Sequence, residues 1–514
     1  MKYKPTIGME IHAELKTNTK MFCSCKNDPD EKEPNKNICP VCLAHPGTLP
    51  TANEEAVKKV LKTGLALNCE ISEYSQFDRK NYFYPDLPKG YQISQYKYPL
   101  CGPGYLNIEG KRVKITRIHL EEDTGRLIHP KGKDYSLVDF NRAGMPLMEL
   151  VTEPDLSSGP QARKFCEEFQ IILKYLKVSD ANMEKGQMRC EVNISLKAVS
   201  QKAISHNDHK GKKILGTKVE IKNLNSFKAV ERSIDYEIKR QTQLLNKKKK
   251  IIQETRGWNE KKQVTFSQRI KEEAHDYRYF PEPDLPPIKV GKEVPSDMDR
   301  LRDNKIYLSD IKKTMPELPQ DKRKRLEEEY ALPKNQIEIL IKNKDLGEYF
   351  EKVASEIREW INSENIKLSD TQLKKLYQLG ANYIITELQK LTRKSEKEEK
   401  IEKITAENFA ELIKMIYNSE ISSSAAQEIL KIMYKTGGDP SNITESEKLL
   451  QISDSSRIED ITKSVIKLNT KVVEDYKKGN ENALQFLIGQ VMRESKGQAN
   501  PQIAQEILYK KLRD

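Results

Sequence analysis

The chain has 514 residues, of which 32 % are charged and 37 % hydrophobic. No apolar run approaches the length of a membrane span, so a protein of about two to four soluble domains is expected, with enough chain for more than one core. A formal net charge of +12 favours an anionic partner, nucleic acid before membrane.

Met1-Lys-Tyr-Lys-Pro-Thr6 carries no apolar signal-peptide core and leads straight into a strand, so a cytoplasmic protein is expected. In Ile7-Gly-Met-Glu-Ile-His-Ala-Glu-Leu15, Met9, Ile11, Ala13 and Leu15 alternate with Glu10, His12 and Glu14. That period of two predicts a strand with one face on a core and a polar face carrying two carboxylates and an imidazole within about 14 Å. Next come Cys23-x-Cys25 and Cys39-x-x-Cys42, flanking a loop-like stretch. Paired thiolates at this spacing in a reducing compartment predict a closed four-Cys structural zinc site at 23–42 with no open position for substrate. His45 is read as a loop residue, and Cys69, Cys101, Cys166 and Cys190 as small core residues.

A helical period follows over Glu54 to Leu67, then short strands or extended segments at Tyr82-Phe-Tyr84, Tyr91-Gln-Ile93 and Val113–Ile118, with a turn at Gly102-Pro-Gly104. His119-Leu-Glu-Glu-Asp123 repeats the acidic pattern, and Glu149 adds a carboxylate in Met145–Leu150. A helix with Phe165, Phe169, Ile172 and Leu176 follows Pro160; Cys190–Ser195 and Lys218–Lys222 alternate as strands; Phe227, Val230, Ile234 and Ile238 begin a long charged helix. Strands and helices mingle without a regular repeat, which predicts an α+β domain, mixed α and β, over 1–290. The Pro-rich run Pro281–Pro287 and Val294-Pro-Ser296 end it. Helices at Asp310 to Lys313, Lys322 to Tyr330, Leu346 to Ile361 and Asp370 to Leu391 make an all-α domain over 291–404, closed by a charged hinge at 394–403. A second all-α domain over 405–514 opens with Thr405 as a cap and an Ile404–Phe409 staple. Ser424 and Gln427 are read as a capping box, Gly437 as a helix stop, Phe486, Leu487, Val491 and Met492 as a stripe broken at Gly497, and Asn500-Pro501 as the start of the last helix. The basic runs Lys210–Lys213 and Lys247–Lys250 read as solvated loops.

Carboxylate oxygens are natural ligands of Mg²⁺, which keeps several waters and bridges to phosphate, so the acidic rows suggest a strand-built Mg²⁺ site for phosphoryl chemistry; three ordinary solvated strand faces are the other reading. Gly211-Lys-Lys-Ile-Leu-Gly216 lacks the lysine that a phosphate loop needs and precedes a strand, and neither a dinucleotide fingerprint nor a Gly-x-Ser-x-Gly elbow occurs. Any ATP is then handled by metal and side chains on a sheet. In Asp78–Gln92, Arg79, Lys80 and Lys89 are candidates to hold phosphate, and Tyr82 and Tyr84 to stack on a base; a loop that merely covers the sheet is the alternative.

Several long motifs resemble the B subunit of the aspartyl/glutamyl-tRNA amidotransferase: Ile7–Thr17, Phe77–Asp86, Tyr91–Gln95, His119–Asp123, Ser136–Arg142, Glu220–Phe227 and Asp276–Asp284. Leu487–Arg493 and Lys496–Pro501 look like that family's tRNA-binding tail, so the resemblance spans nearly the whole chain. It implies a catalytic cradle domain that uses ATP and Mg²⁺ to phosphorylate the side-chain carboxylate of mischarged Glu-tRNA(Gln) or Asp-tRNA(Asn). It also implies an amidase A subunit that frees ammonia from glutamine, an internal channel that delivers it, and a small C subunit that clasps A to B. Strand parity puts Glu121 on the face of His119 and Glu122 on the other, unless a bulge intervenes. His12, Glu121 and Glu149 are therefore the expected direct Mg²⁺ ligands, with Glu10 and Glu122 acting in catalysis or behind the ligands, and Lys89 and Arg79 stabilising phosphoryl charge. The zinc reading of Cys23, Cys25, Cys39 and Cys42 rests on spacing alone. A tRNA-binding scaffold without chemistry is the rival reading; a glutamine-hydrolysing amidase lacks a nucleophile arrangement.

Overall fold

The structure is a computed structural model that describes residues 3–198, 215–270, 277–293, 305–394, 403–450, 455–495 and 498–513. The basic run at 210–213, the Gly-bounded stretch at 211–214, the connector at 294–296, the hinge at 395–402 and the helix break at 497 lie outside them. The chain divides into two compact units, Met1–Leu318 and Pro319–Asp514, the first mixed α and β, the second helical.

The first unit is built on eight strands: β1 (Tyr3–Glu14), β2 (Gly104–Ile108), β3 (Lys111–Glu122), β4 (Pro146–Thr152), β5 (Met188–Ala198), β6 (Val219–Leu224), β7 (Glu254–Asn259) and β8 (Val264–Ile270). They form one sheet in the order β8-β7-β6-β5-β1-β4-β3-β2, antiparallel except for the parallel pair β6 and β7. The alternation of β1 decides which side is which. Ile7, Met9, Ile11 and Ala13 are fully buried, while Glu10, His12 and Glu14 face the other way and stay half-buried.

Three helices cover the apolar face. α1 (Glu54–Ala66) is capped by Asn53, whose side chain accepts from the Ala56 N–H; α2 (Gly159–Tyr175) by Ser158, with Pro160 in its first turn; α3 (Phe227–Asn246) by Ser226. Each cap satisfies a backbone N–H that the helix cannot. Val57, Val60 and Leu61 of α1, Phe165, Phe169 and Ile172 of α2, and Val230 and Ile234 of α3 join the sheet's inner residues in a single core. Burying each such side chain contributes roughly 1.5–3 kcal/mol.

One irregularity sets the site. On β3 the core positions run Val113, Ile115, then Ile118, Leu120, because the pairing with β4 shifts between Ile115 and Arg117. An extra residue in one strand of a pair reverses the parity of everything after it. Arg117, His119 and Glu121 consequently join the polar face, and Glu122 falls on the side of Ile118 and Leu120.

Outside the large sheet, Asp78–Asn81 pairs with Tyr91–Ser94, and Phe280–Pro281 adds to its free edge. The strand ends at Asn81, so Tyr82-Phe-Tyr84, read from sequence as strand or extended, lies in the loop that follows it, outside any strand. Gly90 closes that loop at φ +71°, a conformation that favours glycine.

The expected short helix near Asp310 is Leu308–Lys313, at the end of the first unit. In the second unit the expected helices are Pro319–Tyr330, Lys344–Ser363, Asp370–Tyr383 continuing to Lys394, Ala406–Tyr417, Asn482–Glu494 and Pro501–Arg513. Lys334–Lys342 is a further short helix, behind Pro333, that the sequence pattern misses. Thr405 caps as expected, accepting from the Asn408 N–H, and Gly437 ends its helix at φ +71°. The cap expected at Ser424 is instead Ser422, because its hydroxyl reaches the Ala425 N–H and the helix starts at Ser423. Across residue 404, where a boundary is expected, Tyr349 Oη donates to the Ile404 carbonyl at 3.1 Å and its ring meets Phe409 edge-on. A separate small core, with Ile458, Leu487, Val491 and Leu508, closes the last helices.

Deleting Thr116 tests the parity argument. Removing the extra residue turns His119 and Glu121 toward the core and is expected to cost about 3 kcal/mol or more in thermal or urea unfolding. Thr116→Ala keeps the residue and loses only a hydrogen bond to Glu153, for about 1 kcal/mol. A deletion variant as stable as the parent would refute the argument.

Candidate active site

The register of β3, β4 and β1 lays His119, Glu149 and His12 side by side, since Glu149 is the direct cross-strand partner of both histidines. Glu149 Oε2 lies 3.3 Å from His12 Nε2 and 3.2 Å from His119 Nε2. Glu121, two residues along β3, brings its carboxylate to 3.7 Å from His12 and 3.8 Å from His119, and accepts from Ser94 Oγ at 3.1 Å. One ligand atom each from His12, Glu121 and Glu149 falls within 4.8 Å of the others. On the next row, Glu10 pairs in register with Glu191, and Glu10, Glu191 and Glu220 form a second group of the same tightness. Asn193 Nδ2 donates to Glu10 at 2.7 Å, and Lys222 Nζ stands 2.9 Å from Glu191.

The two histidines, the five glutamates and Lys222 line one cavity of about 360 Å³, together with Lys80, Tyr82, Tyr277 and Tyr279. Six carboxylates in it face four fixed cations, Lys80, Arg117, Arg189 and Lys222, so the histidines decide the balance. Burial disfavours a charged His12, but Glu149 and Glu121 outweigh it and push the imidazole up to about 9. His119 moves the same way for the same reasons. Burial also works against the Glu149 carboxylate, yet the two imidazoles hold it well below the usual range. Glu10 is pushed up by burial and by Glu149 and Glu191. The upward shift of both imidazoles reflects the excess negative charge gathered around them. Clustered oxygen donors with two imidazoles and excess negative charge fit a hard cation. A larger cavity, about 790 Å³, opens around Glu14, Asn182 and Phe227. Charged residues on its wall already pair with each other, Lys16 with Asp180 at 2.9 Å and Lys185 with Asp30 at 2.8 Å, so we place the chemistry in the smaller one.

Of the residues singled out from sequence, Glu10, His12, Glu121, Glu149, Lys80 and Tyr82 converge on this cavity. Four do not line it. Arg79 is clamped by Glu282 at 2.7 and 2.8 Å and lies over the Tyr91 ring, which ties the 280–284 segment to its neighbouring strand. Lys89 forms a 2.7 Å ion pair with Glu122, whose carboxylate also accepts from the Ile93 N–H; both line a different, smaller cavity with Cys42 and Tyr91. Reversed parity explains Glu122. Tyr84 is 61 % exposed and meets the site through the edge of Tyr82. Sequence reasoning passes over His119 as a candidate ligand, and Arg189, Glu191, Glu220 and Lys222 altogether. The signal is present: the period of two in β5 and β6 puts Glu191 with Asn193, and Glu220 with Lys222, on one face.

Cys23, Cys25, Cys39 and Cys42 do come together, each offering a sulfur within 4.8 Å of the rest. The Cys39 N–H donates to Cys42 Sγ at 3.1 Å. The Cys23 thiol's hydrogen bond, and the nearby Lys20 ammonium against the opposing effect of burial, bring Cys42 down to about 5, while burial and Cys39 push Cys25 up to about 11. Lys20 itself is 0 % exposed, with its Nζ 3.8 Å from Cys42 Sγ and 3.2 Å from the Phe140 carbonyl. A lysine charge so deeply buried requires negative charge beside it, which a four-thiolate zinc centre provides.

Two measurements check these centres. Lys20→Met is expected to release zinc to a chelator at least about tenfold faster than the parent protein, which should carry one equivalent; equal retention would remove Lys20 from the site. In the acidic cavity a cation must displace protons that His12 holds up to about pH 9. Mn²⁺ affinity should therefore rise between pH 7 and 9, by up to about tenfold per unit for each proton released. A flat profile would exclude His12 as a ligand.

Similarity to known proteins points the same way. A family profile described as the GatB/GatE catalytic domain matches residues 5–296, and a second, the GatB domain, matches 371–512. The B subunit of the aspartyl/glutamyl-tRNA(Asn/Gln) amidotransferase from Caldanaerobacter subterraneus subsp. tengcongensis is 45 % identical over 516 residues, covering 100 % of both chains. The proteins of the same name from Persephonella marina and Thermotoga maritima are 45 % and 44 % identical, over 100 % of this chain and at least 99 % of theirs. With the first profile covering more than half of its length and such relatives matching end to end, the chain belongs to the GatB family of amidotransferase B subunits.

Proposed function

We propose that this chain is the B subunit of a glutamine-dependent amidotransferase. In this reading its sheet cavity uses ATP to phosphorylate the side-chain carboxylate of mischarged Glu-tRNA(Gln), Asp-tRNA(Asn) or both, and then transfers ammonia to it. The observation that carries the reading is Glu149 held between His12 and His119, with Glu121 closing the set and Lys80 on the same wall.

A carboxylate resists ammonia because its leaving group would be oxide. Transfer of the γ-phosphoryl group to a carboxylate oxygen, with release of ADP, replaces that group by phosphate. Ammonia then attacks the carbonyl carbon, the carbon–oxygen bond to phosphate breaks, inorganic phosphate departs and the nitrogen sheds a proton. His12, Glu121 and Glu149 would hold a divalent ion, which when bound neutralises charge on the phosphates. Lys80 is half-buried, and the charges of Glu121 and Glu149 hold its ammonium in the charged form against that burial. It is suited to steady the phosphoryl group in flight, the role that Arg79 and Lys89, already paired elsewhere, leave open. Glu10, raised by burial and its acidic neighbours, is suited to accept the proton from nitrogen. Tyr82 offers a ring to the adenine. Lys89 with Glu122, and Arg79 with Glu282, brace the walls from behind. An amidase A subunit would supply ammonia from glutamine, a small C subunit would join the two, and the last helices would hold the tRNA. A scaffold without chemistry has no use for six carboxylates in one cavity. Among the described residues no helix is long and apolar enough to cross a membrane.

Glu149→Gln in the reconstituted three-subunit complex removes the charge that both imidazoles and the ion share. Amide formation on Glu-tRNA(Gln) should fall by about 100-fold or more, together with tRNA-stimulated ATP hydrolysis, while tRNA affinity changes little. Unimpaired amidation would overturn the proposal.

A further inference from the structure

Along the wall of the acidic cavity runs a row of aromatic rings, of which the reading above uses only Tyr82. Tyr84, Tyr82, Tyr277, Tyr279 and Tyr96 follow one another with centroid separations of 6.3, 6.1, 6.0 and 4.3 Å. Three separate stretches of chain supply them, so the fold, not local sequence, assembles the row. Tyr82, Tyr277 and Tyr279 line the cavity wall, while Tyr96 at the far end is 55 % exposed. Lys80 Nζ sits 5.8 Å from the Tyr82 ring and 5.1 Å from the Tyr277 ring, setting positive charge among the faces.

The two ends differ. Around Tyr82 the rings meet edge to face, at interplanar angles of 65° and 71°. Tyr279 and Tyr96 lie parallel within 9°. An edge-to-face pair offers an incoming ring an edge; a parallel pair whose outer member is half in solvent offers a flat face that one more planar group can extend. Unpaired nucleobases are such groups, and aromatic side chains beside a cation hold them without regard to sequence.

We propose that Tyr96, stacked on Tyr279, is the platform for the 3′-terminal base of the aminoacyl-tRNA. The inference rests on the phosphorylation reading above and adds the place where the nucleic acid ends. An aminoacyl group is an ester of the terminal ribose, so its side-chain carboxylate cannot lie more than about one nucleotide from the last base. If that carboxylate enters the cavity of Glu149 and His12, the base is left outside it, and the exposed flat ring next to the wall residue Tyr279 is Tyr96. The adenine of ATP falls to the Tyr82 end of the row. Two nucleotides thereby meet from opposite ends of one aromatic wall with the reacting groups between them.

The test uses the reconstituted three-subunit complex and tRNA(Gln) carrying 2-aminopurine as its terminal base. Binding to the parent complex should quench the 2-aminopurine fluorescence. Tyr96→Ala should abolish the quench and raise the KM for Glu-tRNA(Gln) by roughly tenfold, with the KM for ATP unchanged. Tyr96→Phe, which keeps the ring and loses the hydroxyl, should behave as the parent, and the unchanged KM for ATP in Tyr96→Ala shows that this variant is folded. An unaltered KM for Glu-tRNA(Gln) in Tyr96→Ala overturns the platform, and so does a rise in the KM for ATP instead. If the parent complex itself shows no tRNA-stimulated ATP hydrolysis, the phosphorylation reading fails first, and the platform with it.

Discussion

A carboxylate buried between two imidazoles governs the catalytic unit of this protein. Glu149 is the central rung of a ladder that crosses three adjacent strands, and its charge favours the protonated form of both histidines. Nothing about this arrangement is stabilising by itself. Burying one anion and two potential cations costs several kcal/mol before attraction repays it. The apolar face behind β1, with Ile7, Met9, Ile11 and Ala13 sealed in the core that α2 and α3 complete, supplies the rigidity that keeps the three side chains in place.

Two devices shape the surroundings of the ladder. The extra residue in β3 rotates His119 and Glu121 into the cavity and sends Glu122 to the other side, so two adjacent glutamates acquire different partners. The cysteine cluster lies on that other side. Lys20 joins Cys42 to the Phe140 carbonyl, and the Met21 N–H donates to the Gly144 carbonyl while the Gly144 N–H donates to the Asp123 carbonyl. Gly144 is at φ +82°, with Cys42, Lys20 and Glu122 each within about 4 Å of where a side chain would begin. The cysteine cluster is thus connected by hydrogen bonds to the end of the strand that carries Glu121.

Much of this was legible in the sequence, for identifiable reasons. Alternation in β1 is strict, so its two faces could be told apart without coordinates, and parity arithmetic over four residues was enough to separate Glu121 from Glu122. Spacing alone was enough to bring four cysteines together. What escaped depends on pairing between distant strands. The ladder partners of Glu10 and His12 on β5 are Glu191 and Arg189, and no local pattern says that residue 10 faces residue 191. Arg79 and Lys89 show the converse. Their charge and neighbourhood suggested phosphate, but their carboxylate partners, Glu282 and Glu122, lie 203 and 33 residues away. The cap at Ser422 rather than Ser424 is a smaller failure of the same type, since three nearby serines offer equivalent hydroxyls and only backbone geometry selects one.

The central claim is that imidazole and carboxylate groups from separate strands bind one divalent ion. Electron spin-echo spectroscopy of the Mn²⁺-loaded complex addresses it most directly, because modulation from ¹⁴N reports an imidazole bound to the metal. The account requires that modulation in the parent protein and its loss, or a clear reduction, in His12→Gln. Tightly bound Mn²⁺ with no nitrogen coupling, or a coupling indifferent to His12, would contradict it.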